Sequence, residues 1–412
     1  MSINSLLQPF ERFGINLGLQ RIKSLLQDLD NPHHQIPIIH VGGTNGKGSV
    51  CAYLASILTE AGYKVGLYTS PHLIDQTESI CINNKPISET DFRLIFERIK
   101  TTINRYQESP TKFEILTAIA WVYFAQQKVD LAIIEVGLGG RLDSTNVCDH
   151  PLVTVITSIS RDHCQELGPE ITDIAYEKAG IFKSECPVVL GEIPPDAGRV
   201  IQSQIEALNC PSVWVNPAIK TQENWATYQD INYPLPLLGD CQLINSAVAI
   251  ATIKILQQKG WHIPLTATEK GMEKTQWLGR LQWITWHDST ILIDGAHNRA
   301  AAQFLRQYID NLNQPITWVM GMLSTKEHEA IFQELLRPDD YLYLVPVPDE
   351  RTANIEELSN LAIEICPTLK NCQTFTDLSI ALETAINEQN QLVILCGSLY
   401  LIGYFLKNHF KT

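Results

Sequence analysis

Eight residues near the start of the chain could do chemistry together: Gly42-Gly43-Thr44-Asn45-Gly46-Lys47-Gly48-Ser49. Glycines let a backbone curl so that successive N–H groups face one oxyanion, a helix that follows adds its positive end, and a lysine supplies a point charge. A phosphate fits such a turn, and the hydroxyl of Ser49 or Thr44 could ligate magnesium. The match to G-x-x-x-x-G-K-[ST] is imperfect, because Val41 stands at the first glycine position and Gly48 separates Lys47 from Ser49. The bland reading is a glycine-rich turn with an incidental lysine. Glu135 ends an apolar run, where a carboxylate is costly unless it is paired or bound to a cation. It is a magnesium ligand or the partner of Arg141 or a nearby lysine. His163 follows another apolar run, and a lone histidine there is more often structural than a ligand. Lys178, in a helical pattern, reads by default as a surface lysine, and Phe113 as a core aromatic.

These residues need a scaffold that brings strand ends together. Short β-branched runs at 36–41, 63–69, 131–136, 152–159 and 186–191 alternate with helical patterns at 49–61, 112–127 and 171–180. Continuous apolar strands alternating with helices predict a parallel sheet covered on both faces, with ligands beyond the strands' carboxyl ends. Residues 210–240 break the rhythm with Pro, aromatic and polar residues and read as an irregular antiparallel addition. Helical pattern returns at 241–259 and 265–276. A second alternation follows: strands at 283–287, 290–294, 316–322, 341–345 and 392–398, with helices at 299–311, 327–336, 354–365, 377–388 and 398–408. The expected fold is therefore α/β throughout, a larger domain over 1–286 and a smaller α/β domain over 290–412, linked at His287-Asp288-Ser289.

The 412 residues exceed one minimal core, and 45% hydrophobic with 18% charged residues is ordinary globular composition. With 31 basic and 45 acidic side chains the formal net charge is −14, so no overall field gathers nucleic acid or anionic lipid. Anionic ligands must be held by local devices. The ten cysteines show no C-x-x-C pair and read as reduced thiols. No apolar run approaches the ~20 residues of a membrane span. A cytoplasmic protein, acting without nucleic acid or membrane, is expected.

The set GTNGKGS (43–49), YTSPHL (68–73), KFEILTA (112–118), EVGLGGRLDSTN (135–146), DH (162–163), EKAGI (177–181), QLINSA (242–247) and DGAHN (294–298) resembles the folylpolyglutamate synthase and dihydrofolate synthase family of the Mur ligase superfamily. The resemblance implies a P-loop-containing, Mur ligase-like ATP-binding domain and a smaller Rossmann-like C-terminal domain that binds glutamate. It implies that ATP phosphorylates a carboxylate and that an amine attacks the acyl phosphate. The acid is dihydropteroate or a folyl γ-glutamyl group, and the amine is L-glutamate. Carried onto this chain, Thr44, Asn45, Gly46, Lys47, Gly48 and Ser49 wrap the phosphates, and Asn245 reads the adenine. Arg280 reaches the phosphates from the domain junction, Asp294 binds the nucleotide from the second domain, and His297 neighbours that site. Ser70, Glu135, His163 and Lys178 hold Mg2+, with Lys178 carried as a carbamate (N6-carboxylysine). Lys47, His163 and Lys178 form the catalytic set. Thr111, Lys112, Phe113 and Glu114, with Leu142, Asp143 and Ser144, face the folate, and Lys326 helps bind the incoming glutamate. A monomer is expected.

A Mur-type ligase acting on a UDP-linked peptide is the nearest rival. It resembles a three-domain arrangement, and 41 residues before the loop leave no room for a nucleotide-sugar domain. A nucleotide-binding regulator would need the loop but not Ser70, Glu135, His163 and Lys178 together.

Overall fold

The computed structural model describes residues 3–11, 13–387 and 391–409. Residue 388 of the helix expected over 377–388, and the extreme ends of the two expected domains, lie outside them. By its internal contacts the chain divides into two units. One comprises Met1–Ser160, Cys164–Pro236 and Gln242–Gln276, the other Arg161–His163, Leu237–Cys241 and Trp277–Thr412.

The first unit is built on strands β1 (Ile38–Gly42), β2 (Val65–Tyr68), β3 (Ile80–Ile82), β4 (Lys85–Pro86), β5 (Leu131–Glu135), β6 (Val153–Ser158), β7 (Val188–Glu192) and β8 (Ser212–Trp214), in the order β4-β3-β2-β5-β1-β6-β7-β8. From β2 to β8 the pairing is parallel. β1 sits between β5 and β6, buried along its whole length, so the end of β1 opens at the centre of the sheet's carboxyl edge. Ile38, Ala132 and Ile134 join a core cluster with Ile119, Trp121 and Phe124 of the helix Lys112–Gln127. Farther along, Val136, Ile156 and Leu190 pack with Ile174 of the helix Ile171–Ala179 and Ile201 of the helix Pro195–Ala207.

The expected all-parallel sheet is in fact mixed, since β2 pairs β3 and β3 pairs β4 antiparallel. Asn83 and Asn84 both take left-handed backbone, with φ 47° and 60°, and two such residues make the tight turn that folds β4 back on β3. The addition read over 210–240 also divides. Ser212–Trp214 is the last parallel strand, and only β9 (Ile219–Gln222), β10 (Trp225–Tyr228) and β11 (Ile231–Pro234) form a separate antiparallel sheet.

The second unit has β12 (Gln282–Trp286), β13 (Ser289–Ile293), β14 (Ile316–Met320), β15 (Tyr341–Leu344), β16 (Asn371–Thr374) and β17 (Leu392–Cys396), ordered β12-β13-β17-β14-β15-β16. All neighbours are parallel except β12 and β13. Leu292, Trp318, Leu342 and Ile394 form its core with Leu305 and Phe332 of the covering helices. The turn expected to link the domains lies within this unit. His287 and Asp288, at φ 46° and 62°, are the two-residue turn of the β12–β13 hairpin, and the unit begins at Trp277 instead. Arg161–His163 and Leu237–Cys241, expected in the first domain, also group with it. No helix among the described residues is long and apolar enough to cross a membrane.

Candidate active site

The turn after β1 is shaped by β6. Thr44 N–H donates to the Ser158 carbonyl at 2.8 Å, Asn45 N–H donates to Ser158 Oγ at 3.0 Å, and the Thr157 hydroxyl donates to the Asn45 carbonyl at 2.6 Å. The Thr44 hydroxyl closes a ring with Ser160, donating to its carbonyl and accepting from its N–H, both at 3.1 Å. Gly43 has φ +138°, and a Cβ there would overlap the Thr157 hydroxyl, so the close approach of turn and strand requires glycine. The helix Lys47–Glu60 begins at Gly46 with no side-chain cap, which leaves its first-turn N–H groups for a ligand. Lys47 Nζ lies across the turn, donating to the carbonyls of Gly43 and Thr44 at 3.2 and 3.1 Å. Ser49 is buried and accepts from Gln242 at 3.4 Å, and Asn245 donates to the same Gln242 side chain at 3.2 Å. The start of the helix Cys241–Gln258 thus stands beside Gly46–Ser49, and Gly48 lies in the first helical turn. Thr157, Ser158 and Gln242 escaped the sequence reading. The adjacent hydroxyl pair at the carboxyl end of β6 was the available signal.

Glu135 closes β5 at 4% exposure and accepts the Ser70 N–H at 3.3 Å. Arg141, considered as its ion partner, instead pairs with Glu177 at 2.7 Å and donates its backbone N–H to the Glu177 carbonyl. Gly140 packs so closely on the end of the helix Ile171–Ala179 that a Cβ would lie 2.8 Å from the Glu177 carbonyl oxygen. That interlock sets the position of the next residue. Lys178 is not the surface lysine expected from its helix: it is 6% exposed, and Nζ donates to the Gly43 carbonyl at 2.9 Å, inside the phosphate turn. Glu135 and the Ser70 hydroxyl are hard oxygen donors at neighbouring strand ends, which suits Mg2+, an ion that takes one or two carboxylates and keeps its remaining positions for water and phosphate. Among the described residues no three His, Cys, Asp or Glu side chains converge as a metal group.

Of the segments expected to face folate, Thr111 caps the helix Lys112–Gln127 in a capping box: Glu114 N–H donates to Thr111 Oγ1 at 3.2 Å and Thr111 N–H to Glu114 Oε2 at 2.8 Å. Glu114 also pairs with Arg21 at 3.1 Å. Lys112 pairs with Glu11 at 2.7 Å. Phe113 is half-buried and stacks on Tyr68 with ring centres 6.0 Å apart, so it is both a packing residue and a partly open aromatic face. Asp143 is buried, accepting from Leu138 N–H, Thr145 N–H and the Thr145 hydroxyl. Burial raises its pKa, and those donors oppose the rise. The carboxylates of Glu114 and Asp143 therefore engage the chain itself and shape the helix start that carries Phe113 and the loop that carries Leu142 and Ser144.

In the second unit Asp294 follows β13 and accepts from the N–H groups of Leu281 and Ala296, both at 2.8 Å. Burial pushes its pKa up, against the pull of Arg280 and these donors. His297 Nδ1 is 2.8 Å from the Gly295 carbonyl, and its Nε2 is 3.7 Å from Asp162. Burial, with Lys326 nearby, lowers the His297 pKa to about 4. Asp162 is the hub: it pairs with Lys326 at 2.8 Å, accepts from Asn298 at 3.0 Å and lies 4.0 Å from His163 Nε2. Burial disfavours its charge, but His297, Lys326 and His163 outweigh that and hold its pKa well below the usual carboxylate range. The sequence reading carried Asp162 only as a neighbour of His163.

The geometry can be set beside known proteins. The Mur ligase middle domain matches residues 41–253, and the C-terminal domain of dihydrofolate synthetase matches 278–408. The chain is 35% identical over 416 residues to the dihydrofolate synthase/folylpolyglutamate synthase of Bacillus subtilis, covering 95% of each. It is 35% identical over 423 residues to the dihydrofolate synthetase of Saccharomyces cerevisiae, covering 96% of this chain and 98% of that one. Among solved structures, Escherichia coli FolC in complex with DHPP and ADP is similar with a TM-score of 0.87 at 30% identity, over 99% of this chain and 97% of that one.

Proposed function

Because this chain belongs to the folylpolyglutamate synthase/dihydrofolate synthase family, ATP-dependent acid–amino-acid ligases built on a Mur ligase middle domain, we propose that it joins L-glutamate both to dihydropteroate and to the γ-carboxylate of folyl-glutamates. The observation that carries this reading is the turn at 43–49. It leads into an uncapped helix start, and Lys47 and Lys178 both donate to its carbonyls.

Each residue has a task in such a reaction. Residues 44–49 wrap the triphosphate: Thr44 and Asn45, bonded through their N–H groups to Ser158, hold the turn in shape, and the N–H groups of 46–49 with the Lys47 amine receive the phosphates; Lys47 exchanges its bonds to the loop carbonyls for phosphate oxygens, and so neutralises charge as the γ-phosphoryl group moves. The substrate carboxylate oxygen attacks the γ-phosphorus and ADP leaves; the neutral glutamate amine then attacks the acyl carbon, phosphate leaves with the C–O bond broken, and the amine's proton passes to the departing phosphate or to solvent as the amide forms. Asn245 reads the adenine, and Arg280, Asp294 and His297 serve the nucleotide. Ser70, Glu135, His163 and Lys178 hold magnesium, which when bound supplies Lewis-acid stabilisation to the phosphates. A carbamate on Lys178, formed from its neutral amine and carbon dioxide with loss of a proton, keeps one N–H for the Gly43 carbonyl and adds two oxygens that share one negative charge. Phe113 offers a stacking face for the pterin or pteroate, on the helix start set by Glu114, and the loop set by Asp143 brings Leu142 and Ser144 to the same substrate. Lys326 meets a glutamate carboxylate. The enzyme works as a monomer in the cytoplasm.

The test is product analysis with glutamate and ATP, offering dihydropteroate and tetrahydrofolate separately. Dihydrofolate from the first and a glutamyl-extended folate from the second are expected, each with stoichiometric ADP. ADP release indifferent to both acids would remove the ligase reading, and product from one acid alone would remove bifunctionality.

A further inference from the structure

Both segments assigned above to folate are bonded to one N-terminal stretch that the sequence reading left without a role. Arg21 lies in the first turn of the helix Gln20–Asp28, whose register is set by Ile22, Leu25 and Leu26, all fully buried. Its Nε donates to Glu114 Oε2 at 3.1 Å, the same oxygen that accepts the Thr111 N–H at 2.8 Å. Its terminal nitrogen donates to the Asn16 carbonyl at 2.5 Å, and two residues on, Gly18 N–H donates to the Leu142 carbonyl at 3.2 Å. The guanidinium therefore ties the segment 16–21 to the helix start at 111–114, and that segment is in turn tied to the loop at 142.

We propose that residues 16–21 form a strap that sets the spacing of the two folate-facing segments, with Arg21 as its positioning residue; this rests on the folate reading above. A planar fork suits the task. One edge holds a carboxylate and another holds a backbone carbonyl in a fixed relative direction, which a lysine cannot do. Glu114 is 1% exposed, and its other oxygen, Oε1, is buried without a hydrogen-bond partner. Removing Arg21 leaves a buried carboxylate held by the Thr111 N–H alone. Such a group turns towards water, and Thr111 and Phe113 shift with it.

The experiment is steady-state ADP release by the full chain, varying folate substrate, ATP and glutamate in turn, for wild type, Arg21→Ala, Arg21→Lys and the double variant Arg21→Ala/Glu114→Gln. The strap predicts that KM for the folate substrate rises about tenfold or more in Arg21→Ala, the equivalent of one lost charged hydrogen bond. KM for ATP stays within about twofold on the same scale, and Arg21→Lys falls between. Should Arg21→Ala fail to fold, the double variant removes the stranded charge while Gln keeps the cap, and the strap predicts the same selective rise in folate KM. An unchanged folate KM in either folded variant overturns the proposal, and so does an equal rise for all three substrates, which a general loosening would give. Wild type that releases ADP without regard to folate sinks the ligase reading and the strap together; folate-dependent wild type with an unaffected variant sinks the strap alone.

Discussion

Gly43 and Lys47 do opposite kinds of work in the same turn. Gly43 is there for what it lacks, since its φ of +138° and the Thr157 hydroxyl leave no place for a Cβ. Gly43→Ala is expected to cost about 1–3 kcal/mol through backbone strain alone and to lower the thermal midpoint together with ligation; a variant of wild-type stability would mean the turn is not held against β6 as described. Lys47 is half-buried, and its amine bonds only to loop carbonyls. Lys47→Ala is expected to abolish ATP-dependent ligation while changing stability by no more than about 1 kcal/mol. Retained ligation at the ordinary rate rejects its phosphate role, and a large stability loss would mean that its bonds to the Gly43 and Thr44 carbonyls hold the turn together.

At the scale of elements, the helix Lys112–Gln127 shows how local capping serves a distant site. Thr111 and Glu114 bond each other's N–H groups, which fixes where the first turn begins and hence where Phe113 sits against Tyr68. Thr111→Ala removes one half of the box and is expected to destabilise the fold by about 1 kcal/mol. Folate KM should rise and ATP KM should not, because the phosphate turn is held by β6 and not by this helix. Equal changes in both constants would argue that the two sites are not separately supported. The interlock of residues 137–143 with 177–180 is the other such device: the Arg141 N–H to Glu177 carbonyl bond and the close approach at Gly140 bring a helix end, and with it Lys178, under the phosphate turn.

Across the whole molecule, buried histidines tie stability to pH. His40, wholly buried on β1 and 2.9 Å from the Thr145 hydroxyl, has its pKa lowered to about 3 by burial and then by Lys183. His33 is lowered to about 4 by burial and then by His34. Both are neutral in the folded chain at pH 7, as they are in the unfolded one. Below the ordinary value of 6.5 the unfolded chain takes up protons that the folded chain refuses, so stability falls as pH drops from about 6.5 towards 4. Urea midpoints at pH 7.5, 6 and 5 should decline, and His40→Gln should flatten that decline. A variant with the same slope as wild type would show that His40 does not carry the linkage.

Much of this was legible along the chain, for a physical reason: apolar period, turn chemistry and helix starts act over a few residues, and those are adjacent in sequence. The strand before Gly42, the helix of 112–127, the two α/β alternations and the phosphate turn all follow from such short-range patterns. The tight Asn83-Asn84 and His287-Asp288 turns were equally local, but they compete with loops and linkers of the same composition, so the mixed sheet and the place where the second unit begins emerged only when strands paired. Partnerships across long stretches of chain belonged to the tertiary structure alone. Arg141 could have met Glu135 or Glu177, Lys178 could have faced water, and Arg21 had no visible reason to meet Glu114, 93 residues away. Burial decides such choices, because a charge taken out of water must be paired by whatever group the packing brings within reach.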